Sequence, residues 1–139
     1  MFEFFRIWLV VIGSALTVAG AAMVVVAGTP LFSTVARLLD RGFWPAGPDE
    51  TTREFQTWAY SATFATMAGW GLSIALIAAN AFASRQLWAW WAIAAPLALW
   101  YPLDTARSLR HRVYVNAALN TALLIGTAVP LALTFGEFH

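Results

Sequence analysis

The chain of 139 residues contains no cysteine and no lysine. The first absence removes disulfides, thiol redox chemistry, thiolate metal sites and iron–sulfur ligation. Charge is scarce as well. Acidic and basic residues make up 11% of the sequence, well below the usual share, against 60% apolar residues. So few charges could not cover the surface of a soluble domain. A formal net charge of +1 leaves no basic face for nucleic acid.

The charges that exist are unevenly placed. None falls in Ile7–Ala36, Phe55–Ser84, Gln86–Leu103 or Val113–Gly136. A ~30 Å hydrocarbon layer is crossed by about 20 mostly apolar helical residues. The runs therefore predict an all-α fold, one integral membrane domain over residues 1–139 forming a four-helix transmembrane bundle. Its helices are expected at about 4–27, 52–82, 87–103 and 113–135. Ala19-Gly20-Ala21 resembles a signal-peptide cleavage site, but the first run is longer than a signal core and reads as a span.

Gly28-Thr29-Pro30 ends the first helix. Residues 31–41 then place Leu31, Phe32, Val35, Leu38 and Leu39 on one face, with Ser33, Thr34, Arg37, Asp40 and Arg41 on the other. That pattern predicts a short amphipathic interfacial helix between helices 1 and 2. The irregular loop "GFWPAGPDE" follows, and Thr51 with Glu54 reads as a capping box opening the second span. "ASRQ" allows only a tight hairpin before the third. Trp88, Trp90 and Trp91 at its start, and Trp100 and Tyr101 at its end, suit two interfacial belts. Pro96 and Pro130 fall inside spans, where proline is tolerated.

Apolar side chains gain little by leaving lipid for another helix, so small and polar residues mark helix interfaces. The first helix carries Gly13, Thr17 and Gly20 on one face. The second carries Ala62, Thr66, Gly69, Ser73 and Asn80, and the fourth Asn116, Asn120 and Thr127. Asn80, Asn116, Asn120 and Thr127 form the candidate polar seam, serving either to link helices or to line a pore or apolar-ligand pocket.

Asp104, Arg107, Arg110, His111 and Arg112 form a second cluster. Asp104 with His111 could make an acid–base pair for lipid headgroup chemistry. The reading adopted is an interfacial charged turn: Asp104 caps it and pairs with Arg107, and the other arginines reach toward phosphates. No catalytic residue is assigned. His111 and His139 are the only histidines and neither lies within a span, so no haem, metal or other cofactor is expected. Small multidrug exporters share this length and helix count but need a glutamate in the first helix, which Ile7–Ala36 lacks. Trp70, between Gly69 and Gly71, is read as a filler or as a contact for a partner or ligand.

The arginines set an orientation. Six follow helices 1 and 3 (Arg37, Arg41, Arg53, Arg107, Arg110 and Arg112), against Arg6 and Arg85 on the other side. Loops 1 and 3 are therefore expected in the cytoplasm and both termini outside. The expected partners are the lipid bilayer and either a second copy of the chain or another membrane protein. The expected role is a non-enzymatic accessory or oligomer-forming subunit, with a small channel, carrier or lipophilic-ligand binder as the alternative.

Gly69-Trp70-Gly71, Asp104-Thr105, Ser108-Leu109, Val113-Tyr114, Asn116 and Asn120-Thr121 together carry a resemblance over the C-terminal half. The sequence there resembles an uncharacterised family of small bacterial four-helix integral membrane proteins. The resemblance implies a bacterial inner membrane and transfers no activity.

Overall fold

A computed structural model describes residues 1–40, 42–44 and 46–138. The expectations for Arg41 and His139 fall on residues outside the described ones. The described chain is all-helical: α1 (Phe2–Val25), α2 (Pro30–Asp40), α3 (Glu50–Ala79), α4 (Leu87–Arg110), α5 (Tyr114–Thr134) and a closing 3-10 turn (Phe135–Glu137). Among the described residues, three helical segments are long and apolar enough to cross a membrane: Phe2–Val25, Glu50–Ala79 and Tyr114–Glu137.

α1 and α3 run antiparallel at very short range. A Cβ added at Gly13 would lie 2.6 Å from both the Ala75 nitrogen and the Gly71 oxygen, and one at Gly20 2.5 Å from the Phe64 oxygen. Only glycine lets two backbones approach this closely, which is how membrane helices gain dispersion contact. The α1 stripe Gly13, Thr17, Gly20 thus meets α3. The α3 face that answers it is Phe64, Ala68, Gly71 and Ala75. The other α3 stripe (Ala62, Thr66, Gly69, Ser73 and Asn80) is exposed.

α5 packs antiparallel on both α1 and α4. Trp8 of α1 donates its indole N–H to the Gly126 oxygen at 2.9 Å, and Trp90 of α4 donates to the Leu131 oxygen at 2.8 Å. Trp70 stacks obliquely on Trp100, their ring centroids 5.2 Å apart, and so joins α3 to α4. At the end carrying both termini, Phe2, Phe82 and Phe138 form a buried aromatic cluster. The Arg85 guanidinium lies 5.0 Å from the Phe2 ring centroid and 3.3 Å from the Glu137 carboxylate, closing that cluster.

Two boundaries differ from the expected ones for local reasons. α3 is capped by Asp49, whose carboxylate accepts from the Thr52 amide at 2.7 Å, so the Thr51 capping box is not used. α4 continues to Arg110 through Pro102. The charged turn expected at 104–112 is therefore mostly the last two turns of a helix. Both hairpin turns close with an arginine in the left-handed region, Arg85 (φ 55) and Arg112 (φ 60), where glycine is usual.

Candidate functional site: a polar seam and an interfacial cavity

Continuing α4 past Pro102 brings a row of polar side chains against the start of α5. The Asn116 amide donates to Ser108 Oγ at 2.8 Å and to Asp104 Oδ1 at 3.2 Å. Ser108 Oγ in turn donates to the Asp104 backbone oxygen at 2.9 Å. One turn deeper, the buried Asn120 amide donates to Thr105 Oγ1 at 3.3 Å, and the Tyr101 and Thr121 hydroxyls lie 3.3 Å apart. This is a ladder of interhelical hydrogen bonds, each worth about 0.6–2 kcal/mol in a membrane.

The other two seam residues stand apart from it. Asn80 is exposed at the end of α3, where its amide donates to the Leu76 oxygen of its own helix at 2.9 Å. Thr127 is fully buried, but its hydroxyl donates to the Leu123 oxygen at 2.7 Å. The four residues do not share a cavity wall: neither cavity described below includes any of them.

The charge cluster is also divided. Among the described residues the ion pairs are Arg6–Glu3 and Arg85–Glu137, so the Asp104–Arg107 pair does not form. Asp104 faces α5, whereas the His111 ring lies against Phe43, their centroids 5.5 Å apart. Arg107, Arg110 and Arg112 are exposed. Among the described residues no three His, Asp or Glu side chains come together as a metal site.

A different site lies under α2. A cavity of about 820 Å³ is bounded by α2, the loop after it and the first turns of α3. Arg37, Asp40, Trp44, Arg53, Gln56 and Thr57 line it. Asp40, expected on the solvent face, is only 4% exposed. Burial pushes its carboxyl above the usual range, opposed by its own backbone amide and by Arg37. Gln56 is 7% exposed, and its buried Nε2 has no hydrogen-bond partner. Arg37 is turned back on its helix, donating to the Ser33 oxygen and to Thr34 Oγ1, while Arg53 is exposed.

Periodicity sets Asp40 on the polar face, at its edge and just over two turns beyond Phe32, and packing turns that edge inward. Gln56 carried one weak signal, a lone amide at the start of a long charge-free run. No family model matches the chain, and no curated protein or solved structure matches it either.

Proposed function

We propose that this chain is a non-enzymatic, multi-pass protein of a bacterial inner membrane, acting by association as an accessory or oligomer-forming subunit. The carrying observation is the outer face of α3. Ala62, Thr66, Gly69 and Ser73 recur at helix–helix spacing on a face that this chain leaves exposed. A Cβ at Gly69 would meet nothing within 4 Å. Bulky side chains stand outward at Val18, Leu99, Leu119 and Ile125, and small ones also at Ala15, Ala19 and Ala22 of α1, but the α3 face adds the hydroxyls of Thr66 and Ser73 to its small residues. Small residues gain nothing against lipid tails but permit close helix approach, as Gly13 and Gly71 do inside the chain.

A second copy is the natural occupant. Copies inserted the same way are related by a two-fold axis along the membrane normal, which sets the same α3 face against itself. Ala62 to Ser73 covers roughly 16 Å of helix, about half the hydrocarbon layer. In this reading α4 is the fourth crossing, since its charge-free run of Gln86–Leu103 is about 27 Å long. Arg37, Arg53, Arg107, Arg110 and Arg112 then gather at the cytoplasmic end. The non-enzymatic part is supported by the separate engagement of Asp104 and His111.

The channel, carrier or ligand-binding alternative loses support from the asparagines, because Asn116 and Asn120 are engaged between α4 and α5. It retains support from the cavity under α2. The deciding experiment is native mass measurement after extraction in mild detergent. A defined multiple of the 15.2 kDa chain is expected, or a complex with a co-purifying membrane protein. A monomer under all mild conditions contradicts the proposal.

A further inference from the structure

Two polar atoms in the described chain are buried without a partner, Gln56 Nε2 and Ser61 Oγ. Both lie on α3 five residues apart, and each borders a cavity. Gln56 borders the 820 Å³ cavity under α2, and Ser61 a neighbouring groove of about 630 Å³ with Trp58. Arg53 and Thr57 line both, so the two spaces adjoin along one side of α3. Buried polar groups are almost always satisfied, and an orphan beside a cavity signals a missing partner.

The chemistry of the walls restricts that partner. The Gln56 amide and the exposed Arg53 guanidinium offer donors, which call for an anionic or strongly accepting group. Asp40 offers a buried carboxylate that makes no ion pair among the described residues, although the Arg37 charge acts on it, and such a group suits a cation that also donates hydrogen bonds. Both demands fall within one space beside an amphipathic helix, at the depth where lipid headgroups sit.

We propose that the paired cavities bind a group carrying a primary ammonium and a phosphate on a short linker, as in an ethanolamine phospholipid headgroup. The ammonium sits on Asp40, and the phosphate accepts from Arg53 and the Gln56 amide. The linker and glycerol continue past Thr57 into the groove beside Ser61 and Trp58. A choline headgroup fits poorly, because its quaternary nitrogen cannot donate to Asp40. A glycerol headgroup brings no cation at all. This site is independent of self-association through the outer face of α3.

The test is a titration of lipid-stripped protein by native mass spectrometry, using short-chain phosphatidylethanolamine, phosphatidylcholine and phosphatidylglycerol separately. The ethanolamine lipid should bind about tenfold more tightly than either other lipid. Asp40→Asn keeps the shape of the buried group and should abolish the preference for ethanolamine over glycerol. Arg53→Gln, at an exposed position, should weaken ethanolamine and glycerol lipids alike. Displacement by millimolar free phosphoethanolamine supports the site and identifies a soluble ligand as its occupant. Failure of that displacement identifies the lipid. Equal binding of the three lipids, or an unchanged preference in Asp40→Asn, overturns the proposal.

Discussion

The indole N–H of Trp8 on α1 donates to the backbone oxygen of Gly126 on α5 at 2.9 Å. Pro130 explains why that oxygen is available. Proline has no N–H, so the helical bond that residue 130 would give to Gly126 is missing. In hydrocarbon a bare carbonyl is costly, and a side chain from the neighbouring helix fills the gap. Trp8 thereby becomes part of the α1–α5 contact.

Trp8→Phe should lower stability by about 1–3 kcal/mol, the usual penalty for a buried polar group left unpaired. Pro130→Ala restores the helical donor, so adding Trp8→Phe to that background should cost much less. Unfolding of all four proteins in mixed micelles measures the coupling. Equal costs in both backgrounds would show that Trp8 does not serve the Gly126 oxygen.

The two glycines flanking Trp70 should behave oppositely. A Cβ at Gly71 would lie 2.6 Å from the Gly13 oxygen, so Gly71→Ala should force α1 and α3 apart at about 1–3 kcal/mol. In detergent that holds the chain as a monomer, Gly69→Ala meets open space and should be neutral or stabilising by up to about 1 kcal/mol, as alanine is the better helix former. Thermal melts of the two variants, compared side by side, read this difference.

Asn116 and Asn80 give a second contrast. Asn116→Leu leaves the half-buried Asp104 carboxylate with one fewer donor and separates the polar ends of α4 and α5. A loss of about 1–3 kcal/mol is expected. Asn80→Ala disturbs only an exposed helix end, and its effect should stay within about 0.5 kcal/mol. Equal effects would contradict the ladder between α4 and α5.

Asp49 and Asp40 should give opposite pH signatures. The Thr52 amide and hydroxyl hold Asp49 below the usual carboxylate range. Its contribution is therefore present above the unfolded value and is lost as pH falls through the lower folded value. Asp49→Ala should lower the melting temperature at neutral pH, and the difference should shrink on acidification. Asp40 is raised by burial, so its contribution is full below the unfolded value and disappears as pH rises through the folded one. Asp40→Asn should flatten that fall. The melting curves between pH 3 and 7, on the order of the carboxylate range, carry both tests.

The long helices are legible in the sequence because charge-free runs of that length have few other uses. The end of α4 is not, because Pro102 and the charges beyond it both resemble a stop. Contacts with α5 decide the matter, since Thr105 and Ser108 reach Asn120 and Asn116 only if the helix continues. On α3 two small-residue stripes lie two positions apart, Ala62-Thr66-Gly69-Ser73 and Ala68-Gly71-Ala75. Spacing alone cannot say which one meets Gly13 and Gly20. The cavity under α2 was hidden for a related reason. A residue at the border of an amphipathic helix takes its environment from the segment packed against it, which periodicity does not contain.

The central claim is that the outer stripe of α3 meets a second copy. The chain has no cysteine, so one introduced thiol reports without background. Ser73→Cys lies on the stripe, and Val18→Cys lies on the exposed side of α1. Oxidation in native membranes should convert Ser73→Cys to a species of twice the monomer mass and leave Val18→Cys monomeric. No cross-link at Ser73→Cys, or equal yield at both positions, would contradict the account.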